Sequence, residues 1–152
     1  MGLPLLLGRV PHSGIPVWVW DEVAHVSAKA GHGAWHAGSA IILDARDRKD
    51  YAERHVPGAI NLPYHDFTNA YATVKKKAPS EGHTLIYCYG SGCGLSMRLA
   101  KRLLALGYTD LNVLRGGFAA WRMAGYETIA GDKPAQAKEE ADESASGPGS
   151  LP

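Results

Sequence analysis

The sequence predicts an α/β domain: a three-layer sandwich in which a mainly parallel sheet is flanked by helices. Three observations carry that expectation. Ala40-Ile41-Ile42-Leu43 and Thr84-Leu85-Ile86-Tyr87 are continuous apolar runs without polar alternation, as expected of strands buried on both faces. Helical segments fall between such runs, so strand and helix alternate along the chain. The glycine-rich segment Cys88 to Gly94 follows one buried strand directly and leads into a periodic helix.

Taken in order, Pro16-Val17-Trp18-Val19-Trp20 is β-prone, and Asp21 suits the N-cap of a helix from Glu22 to about Ala30. Gly31 to Gly38 reads as a loop, with His32 and His36 exposed in it rather than aligned on a helix face. Ala40 to Leu43 is a strand ending in Asp44, and Asp47 is placed to cap a short helix through Glu53. After a turn at Pro57-Gly58, Ala59 to Leu62 is a strand closed by Pro63, and a helix covers His65 to Lys77. Thr84 to Tyr87 follows as the next strand. Leu95, Leu99, Leu103 and Leu106 then recur at helical spacing, with Arg98, Lys101 and Arg102 turned away, until Gly107 stops the helix. Leu111 to Leu114 is the last strand and Phe118 to Met123 the last helix. Trp18, Trp20 and Trp121 read as packing residues, not as a base-stacking platform.

Composition narrows the function classes. A chain of 152 residues fits one domain able to bury ~70% of its unfolded surface. With 45% hydrophobic and 20% charged residues it is typical of globular proteins, not of disordered or membrane-embedded ones. A formal net charge of +1 offers no global attraction for nucleic acid or an anionic membrane, and no apolar run reaches the ~18 residues of a membrane span. The apolar start, Met1 to Gly8, lacks a basic flank and is interrupted by Pro4, so residues 1–15 read as an arm packed on the domain. Residues 16–130 form the domain, and 131–152 read as a disordered acidic tail rich in Ala, Pro, Gly and Ser. In the absence of an export signal the expected location is the cytoplasm, with a membrane anchor upstream of this chain as the alternative.

The two cysteines, Cys88 and Cys93, fall in one short segment and therefore belong to one site rather than to a disulfide framework. They are too few for structural zinc, which takes four ligands, and neither a metal nor an organic cofactor is expected. Cys88 stands just past the carboxyl end of a buried strand, where open α/β sheets bind ligands. Gly90, Gly92 and Gly94 let backbone N–H groups turn inward, and the helix from Leu95 adds its positive end. A thiol held there is expected to ionise below the ordinary value of about 8.5. The competing reading takes Cys88 as a small buried hydrophobe ending a strand.

Four segments, in order, resemble the rhodanese family: Leu43-Asp44-Ala45-Arg46; His55-Val56-Pro57-Gly58-Ala59-Ile60-Asn61-Leu62-Pro63; Tyr87-Cys88 with its loop; and Leu114-Arg115-Gly116-Gly117 with Trp121. The resemblance runs from about Val17 to Ile129. It implies a rhodanese sandwich and a sulfurtransferase in which Cys88 is the catalytic cysteine. The substrate loop would be Tyr89, Gly90, Ser91, Gly92, Cys93 and Gly94, with Tyr89 and Ser91 shaping its mouth. It also implies a supporting role for Asp44 and Arg46, as an ion pair bracing that loop rather than a substrate contact, and a framework role for His55. The implied partners are a small sulfur donor, thiosulfate or a persulfide, and a thiol, cyanide or protein acceptor.

The chain departs from the family in two ways. Its loop carries no charge, which leaves Arg98 as the nearest cation in sequence and makes a persulfide a fair competitor to thiosulfate as donor. The loop length also resembles the phosphatase branch of the fold, where an arginine stands sixth after the cysteine. Gly94 stands there instead, so a cysteine-based phosphatase or arsenate reductase is the lesser alternative. Cys93 is the second departure. Either it is a resolving thiol that attacks oxidised or persulfidated Cys88, or it fills space at the helix start. The first reading keeps open a redox-sensing or non-catalytic module built on the same fold.

Overall fold

Strands buried on both faces require helices above and below them, and a computed structural model describing residues 23–131 has that arrangement. Five strands and five helices follow in order: β1 (Ala24–Val26), α1 (Ala28–His36), β2 (Ile41–Asp44), α2 (Arg48–Glu53), β3 (Ile60–Asn61), a 3-10 turn (Tyr64–Asp66), α3 (Phe67–Val74), β4 (Thr84–Tyr87), α4 (Leu95–Ala105), β5 (Leu111–Leu114) and α5 (Gly117–Met123). The sheet order is β1-β5-β4-β2-β3. Every pairing is parallel, with Leu43 opposite Ile86 and Ile86 opposite Val113. The expected arm, the Pro16–Trp20 strand, the Asp21 cap and residues 132–152 of the expected tail lie outside the described residues.

Because side chains alternate along a strand, the sheet feeds two cores. Leu43, Ile86 and Val113 meet Phe67 and Val74 of α3 and Leu99 and Leu103 of α4. Ile42, Leu85 and Leu114 meet Trp35 of α1, Tyr51 of α2, and Phe118 and Trp121 of α5. The alternation continues past the end of β4: Leu85 and Tyr87 face the α1/α2/α5 layer, while Ile86 and Cys88 face the α3/α4 layer. Trp121 packs in the core as expected, and its indole N–H donates to the Glu127 carbonyl at 2.7 Å.

The first third of the domain corrects the sequence reading. Residues assigned to a helix from Glu22 include β1, which pairs with β5 at the sheet edge. The helix starts later, after Ser27, whose Oγ accepts the Ala30 N–H at 3.1 Å. It then runs through the supposed Gly31–Gly38 loop as far as His36. Gly31 suggested a loop but serves packing: a Cβ there would lie 2.8 Å from Leu114 Cδ1 and 3.1 Å from Leu85 Cδ2. Its missing side chain lets α1 lie close on the sheet, offsetting the ~1 kcal/mol that glycine costs a helix. His32 and His36 are consequently on one helix. His36 is exposed, but His32 is half-buried and stacks on Tyr126 with ring centroids 3.9 Å apart.

Smaller corrections have local causes. The expected helix from His65 to Lys77 is split, because Asp66 at φ −120° leaves the helical region between the 3-10 turn and α3. Leu106 keeps the periodic spacing yet is 48% exposed, since it sits beyond the last turn of α4.

Packing at Gly31 has a measurable consequence. In urea unfolding, Gly31→Val is expected to lower stability by ~1–3 kcal/mol through overpacking against Leu85 and Leu114. Gly33→Ala, which meets nothing within 4 Å, is expected to raise it by up to ~1 kcal/mol. Equal effects at both positions would contradict the packing role of Gly31.

Candidate active site

Cys88 leaves β4 with its side chain 2% exposed, in the core beneath the sheet's carboxyl edge. Its carbonyl accepts the Phe118 N–H at 2.8 Å, and the Tyr89 carbonyl accepts that of Ala119 at 2.9 Å. Both donors belong to the first turn of α5 and lack partners within their own helix, so the cysteine loop and α5 satisfy one another. The approach is close. A Cβ on Gly117, whose φ is +57°, would lie 2.7 Å from the Cys88 carbonyl oxygen and 2.9 Å from Gly90 N. Only glycine fits there, which explains the Arg115-Gly116-Gly117 segment physically.

The loop then turns through Gly92 at φ +83°, closed by the Cys93 N–H on the Gly90 carbonyl at 3.1 Å. Among the described residues no protein acceptor takes the N–H groups of Gly90, Ser91, Gly92 or Gly94. These donors, with the positive end of α4, are available to an anion. Ser96, in the first turn of α4, is buried and places Oγ 3.5 Å from Cys88 Sγ. Sequence reading missed it, although an alcohol two residues into a helix that starts at the loop can turn back toward the cysteine. Cys88 and Cys93 are joined as a disulfide with Cα atoms 6.5 Å apart, within the usual range. The five-residue spacing therefore does bring the two sulfurs together. Arg98 is exposed one turn into α4, with Nε 3.9 Å from where a Cβ on Gly94 would stand.

Asp44 and Arg46 form a buried pair. Arg46 Nη2 meets Asp44 Oδ2 at 2.8 Å, Nε lies within 3.2 Å of both carboxylate oxygens, and the Arg46 backbone N–H donates to Oδ1 at 2.9 Å. Nη2 also holds the Arg54 carbonyl at 2.7 Å, and the guanidinium lies over Phe118 at 4.1 Å. Burial opposes this cation, but the Asp44 carboxylate outweighs burial and holds it above its ordinary pKa. From β4, Tyr87 donates its hydroxyl to Asp44 Oδ2 at 2.6 Å and accepts the Val56 N–H at 3.1 Å. Burial, then Asp44, pushes that phenol well above its usual range. Arg46 thus spends Nε and Nη2 on protein oxygens and links the end of β2 to the end of α2.

Tyr89 is 39% exposed and hydrogen-bonds Asp50, and burial followed by that bond pushes its pKa to about 12. Beside it a shallow cleft of about 270 Å³ is lined by Arg46, Asp50, Glu53, Arg54, Phe118 and Arg122. Asp50, Glu53, Arg54 and Arg122 were not singled out by sequence reading, because α2 and α5 meet only in three dimensions. His55 is buried at 1% exposure, stacks on Tyr51, places Nδ1 2.7 Å from the Tyr51 carbonyl and exchanges backbone bonds with Ile129. Burial pushes its imidazole below the usual pKa, which fits a neutral framework residue. Among the described residues no three His, Cys, Asp or Glu side chains are grouped to hold a metal ion, and no helix is long and apolar enough to cross a membrane.

A parallel α/β sandwich with a cysteine loop at the carboxyl edge of its sheet, clamped by a Gly-Gly helix start, defines a recognisable class. Residues 26–124 match the family described as "Rhodanese-like domain", and the chain belongs to that family. It is 34% identical over 125 residues to Protein HIGH ARSENIC CONTENT 1, mitochondrial, from Arabidopsis thaliana, covering 75% of this chain and 69% of that one. It is 32% identical over 89 residues to the thiosulfate sulfurtransferase GlpE of Pseudomonas entomophila, covering 59% and 76%. Among solved structures, a thiosulfate sulfurtransferase from Pseudomonas aeruginosa superposes with a TM-score of 0.61 at 29% identity, over 72% of this chain but 20% of that one. SseA from Escherichia coli, a 3-mercaptopyruvate sulfotransferase, shares the fold at a TM-score of 0.66 and 19% identity, over 74% and 54%.

Removing Asp44 leaves the Arg46 cation buried without its partner and frees the Tyr87 hydroxyl. Asp44→Ala is therefore expected to cost ~3–5 kcal/mol in chemical unfolding. A cost within about 0.5 kcal/mol, the ordinary range for surface substitutions, would contradict the role given to this pair.

Proposed function

We propose that the chain is a sulfurtransferase that moves a sulfane sulfur from a donor, thiosulfate or a persulfide, to a thiophilic acceptor through a persulfide on Cys88. The observation that carries this reading is the position of Cys88 at the carboxyl end of β4, beside unpaired loop N–H groups and the start of α4. Membership of the rhodanese-like family and similarity to proteins named thiosulfate sulfurtransferase support it.

In the reduced protein the Cys88 thiolate attacks the outer sulfur of thiosulfate. The S–S bond of the donor breaks and sulfite leaves with the bonding pair. The persulfide anion formed on Cys88 accepts from the loop N–H groups, with Ser96 Oγ 3.5 Å from Sγ beside it. Cyanide or a thiolate then attacks the terminal sulfur, departs as thiocyanate or a new persulfide, and restores the Cys88 thiolate. Because Arg46 is committed to Asp44 and the Arg54 carbonyl, a doubly charged donor depends on the N–H groups, the start of α4 and Arg98. A glutathione persulfide, whose sulfur end carries at most one charge, asks less of the same loop. The Cys88–Cys93 disulfide favours a second reading, a redox-sensing module in which that bond is the signal.

Steady-state kinetics under reducing conditions test the assignment. Thiocyanate formation from thiosulfate and cyanide is expected to follow a double-displacement rate law, and Cys88→Ser is expected to abolish it while the variant keeps the wild-type circular dichroism. Turnover that survives in Cys88→Ser would remove Cys88 from the mechanism.

A further inference from the structure

We infer that Cys93 is an internal acceptor, so that the protein releases the transferred sulfur as hydrosulfide and is left as the Cys88–Cys93 disulfide. This inference rests on the persulfide chemistry proposed for Cys88 and names where the sulfur goes when no external acceptor arrives.

Three observations lead to it. Cys93 Sγ reaches Cys88 Sγ itself, not only the pocket around it, since the two are bonded across a Cα separation of 6.5 Å. The loop holds this arrangement through backbone contacts on both sides: Cys93 N donates to the Gly90 carbonyl, and α5 fixes the Cys88 and Tyr89 carbonyls. Cys93 is half-buried at the foot of α4, whereas Tyr89, Ser91 and Gly92 are exposed. The nearest nucleophile to a loaded Cys88 is therefore supplied by the chain.

A persulfide has two electrophilic sulfurs, and the choice between them decides the outcome. Attack by the Cys93 thiolate on the terminal sulfur would only move the persulfide to Cys93. Attack on Cys88 Sγ forms the Cys88–Cys93 bond and breaks the Sγ–S bond, and the terminal sulfur leaves with the bonding pair and takes up the proton given up by the Cys93 thiol, departing as HS⁻. The electrons balance within the molecule: the sulfane sulfur is reduced by two electrons, and the two cysteine sulfurs are each oxidised by one. Oxidising equivalents come from the sulfane donor, so no other oxidant takes part. Ser96 Oγ, 3.5 Å from Cys88 Sγ, and the Cys93 carbonyl, 3.4 Å from it, flank the sulfur that is attacked. A dithiol reductant reopens the disulfide by thiol–disulfide exchange and returns the protein to its starting state. The net reaction with thiosulfate consumes a dithiol and yields sulfite, hydrosulfide and a disulfide.

A single-turnover experiment separates this inference from the reading beneath it. The full chain is reduced, freed of reductant under anaerobic conditions, and mixed with thiosulfate or, in parallel, with glutathione persulfide followed by rapid desalting. Sulfite, hydrosulfide and intact mass are then followed with no acceptor added. The wild type is expected to load one sulfur, release it as hydrosulfide in near-equal amount and end two hydrogens lighter than the reduced chain. Cys93→Ser is expected to lose the hydrosulfide almost completely, measured per sulfur loaded, and to keep the extra sulfur until cyanide or a dithiol is supplied. If the wild type keeps its sulfur as Cys93→Ser does, the internal step is overturned while transfer through Cys88 stands. If neither protein takes up sulfur from either donor, the underlying reading fails as well.

Discussion

The buried carboxylate of Asp44 is the constraint on which the carboxyl edge of the sheet depends. It takes two donors from Arg46, the backbone N–H of the same residue and the hydroxyl of Tyr87, and thereby ties the ends of β2 and β4 together. Arg46 in turn holds the Arg54 carbonyl at the end of α2, and Asn61 of β3 donates to the Asp44 and Arg46 carbonyls. A charge buried this deeply is tolerable only when every lone pair is met, so the network is strict about geometry.

Strand alternation and helix capping then place the cysteine. Cys88 points to the α3/α4 layer because Ile86 does and Tyr87 does not. Its carbonyl is held by α5 from below, through a contact that tolerates no side chain at Gly117, while α4 begins on its other side. The result is a backbone-lined cradle in which polarity comes from N–H groups and a serine rather than from a cation. In the mechanism proposed above, this cradle holds the Cys88 thiolate and its persulfide. Beside it Tyr89 donates its hydroxyl to Asp50 next to the cleft between α2 and α5.

Much of this was legible in the sequence because it is carried by local patterns. The apolar runs at β2 and β4, the strand at β5 and the leucine spacing of α4 each have one strong physical reading, and each appears in the fold. The first third was harder because glycine has two opposite uses. In Gly31 it permits close packing, and nothing local distinguishes that from a loop. Ser96 was missed although its place in the first turn of α4 is a local signal, whereas Asp50 had none, since Tyr89 becomes its neighbour only when the loop folds back over α2. Asp44 and Arg46 were expected to pair, and they do form a buried ion pair, because two opposite charges two residues apart at a strand end have few other ways to be buried.

The central claim is that Cys88 carries sulfur. The most direct test is the intact mass of the reduced protein immediately after exposure to excess thiosulfate or glutathione persulfide, quenched by acid before the adduct can decay, beside Cys88→Ser treated identically. A gain of one sulfur atom, located on Cys88 by fragmentation and absent from the serine variant, is the result expected. No gain from either donor, or an equal gain in Cys88→Ser, would contradict it.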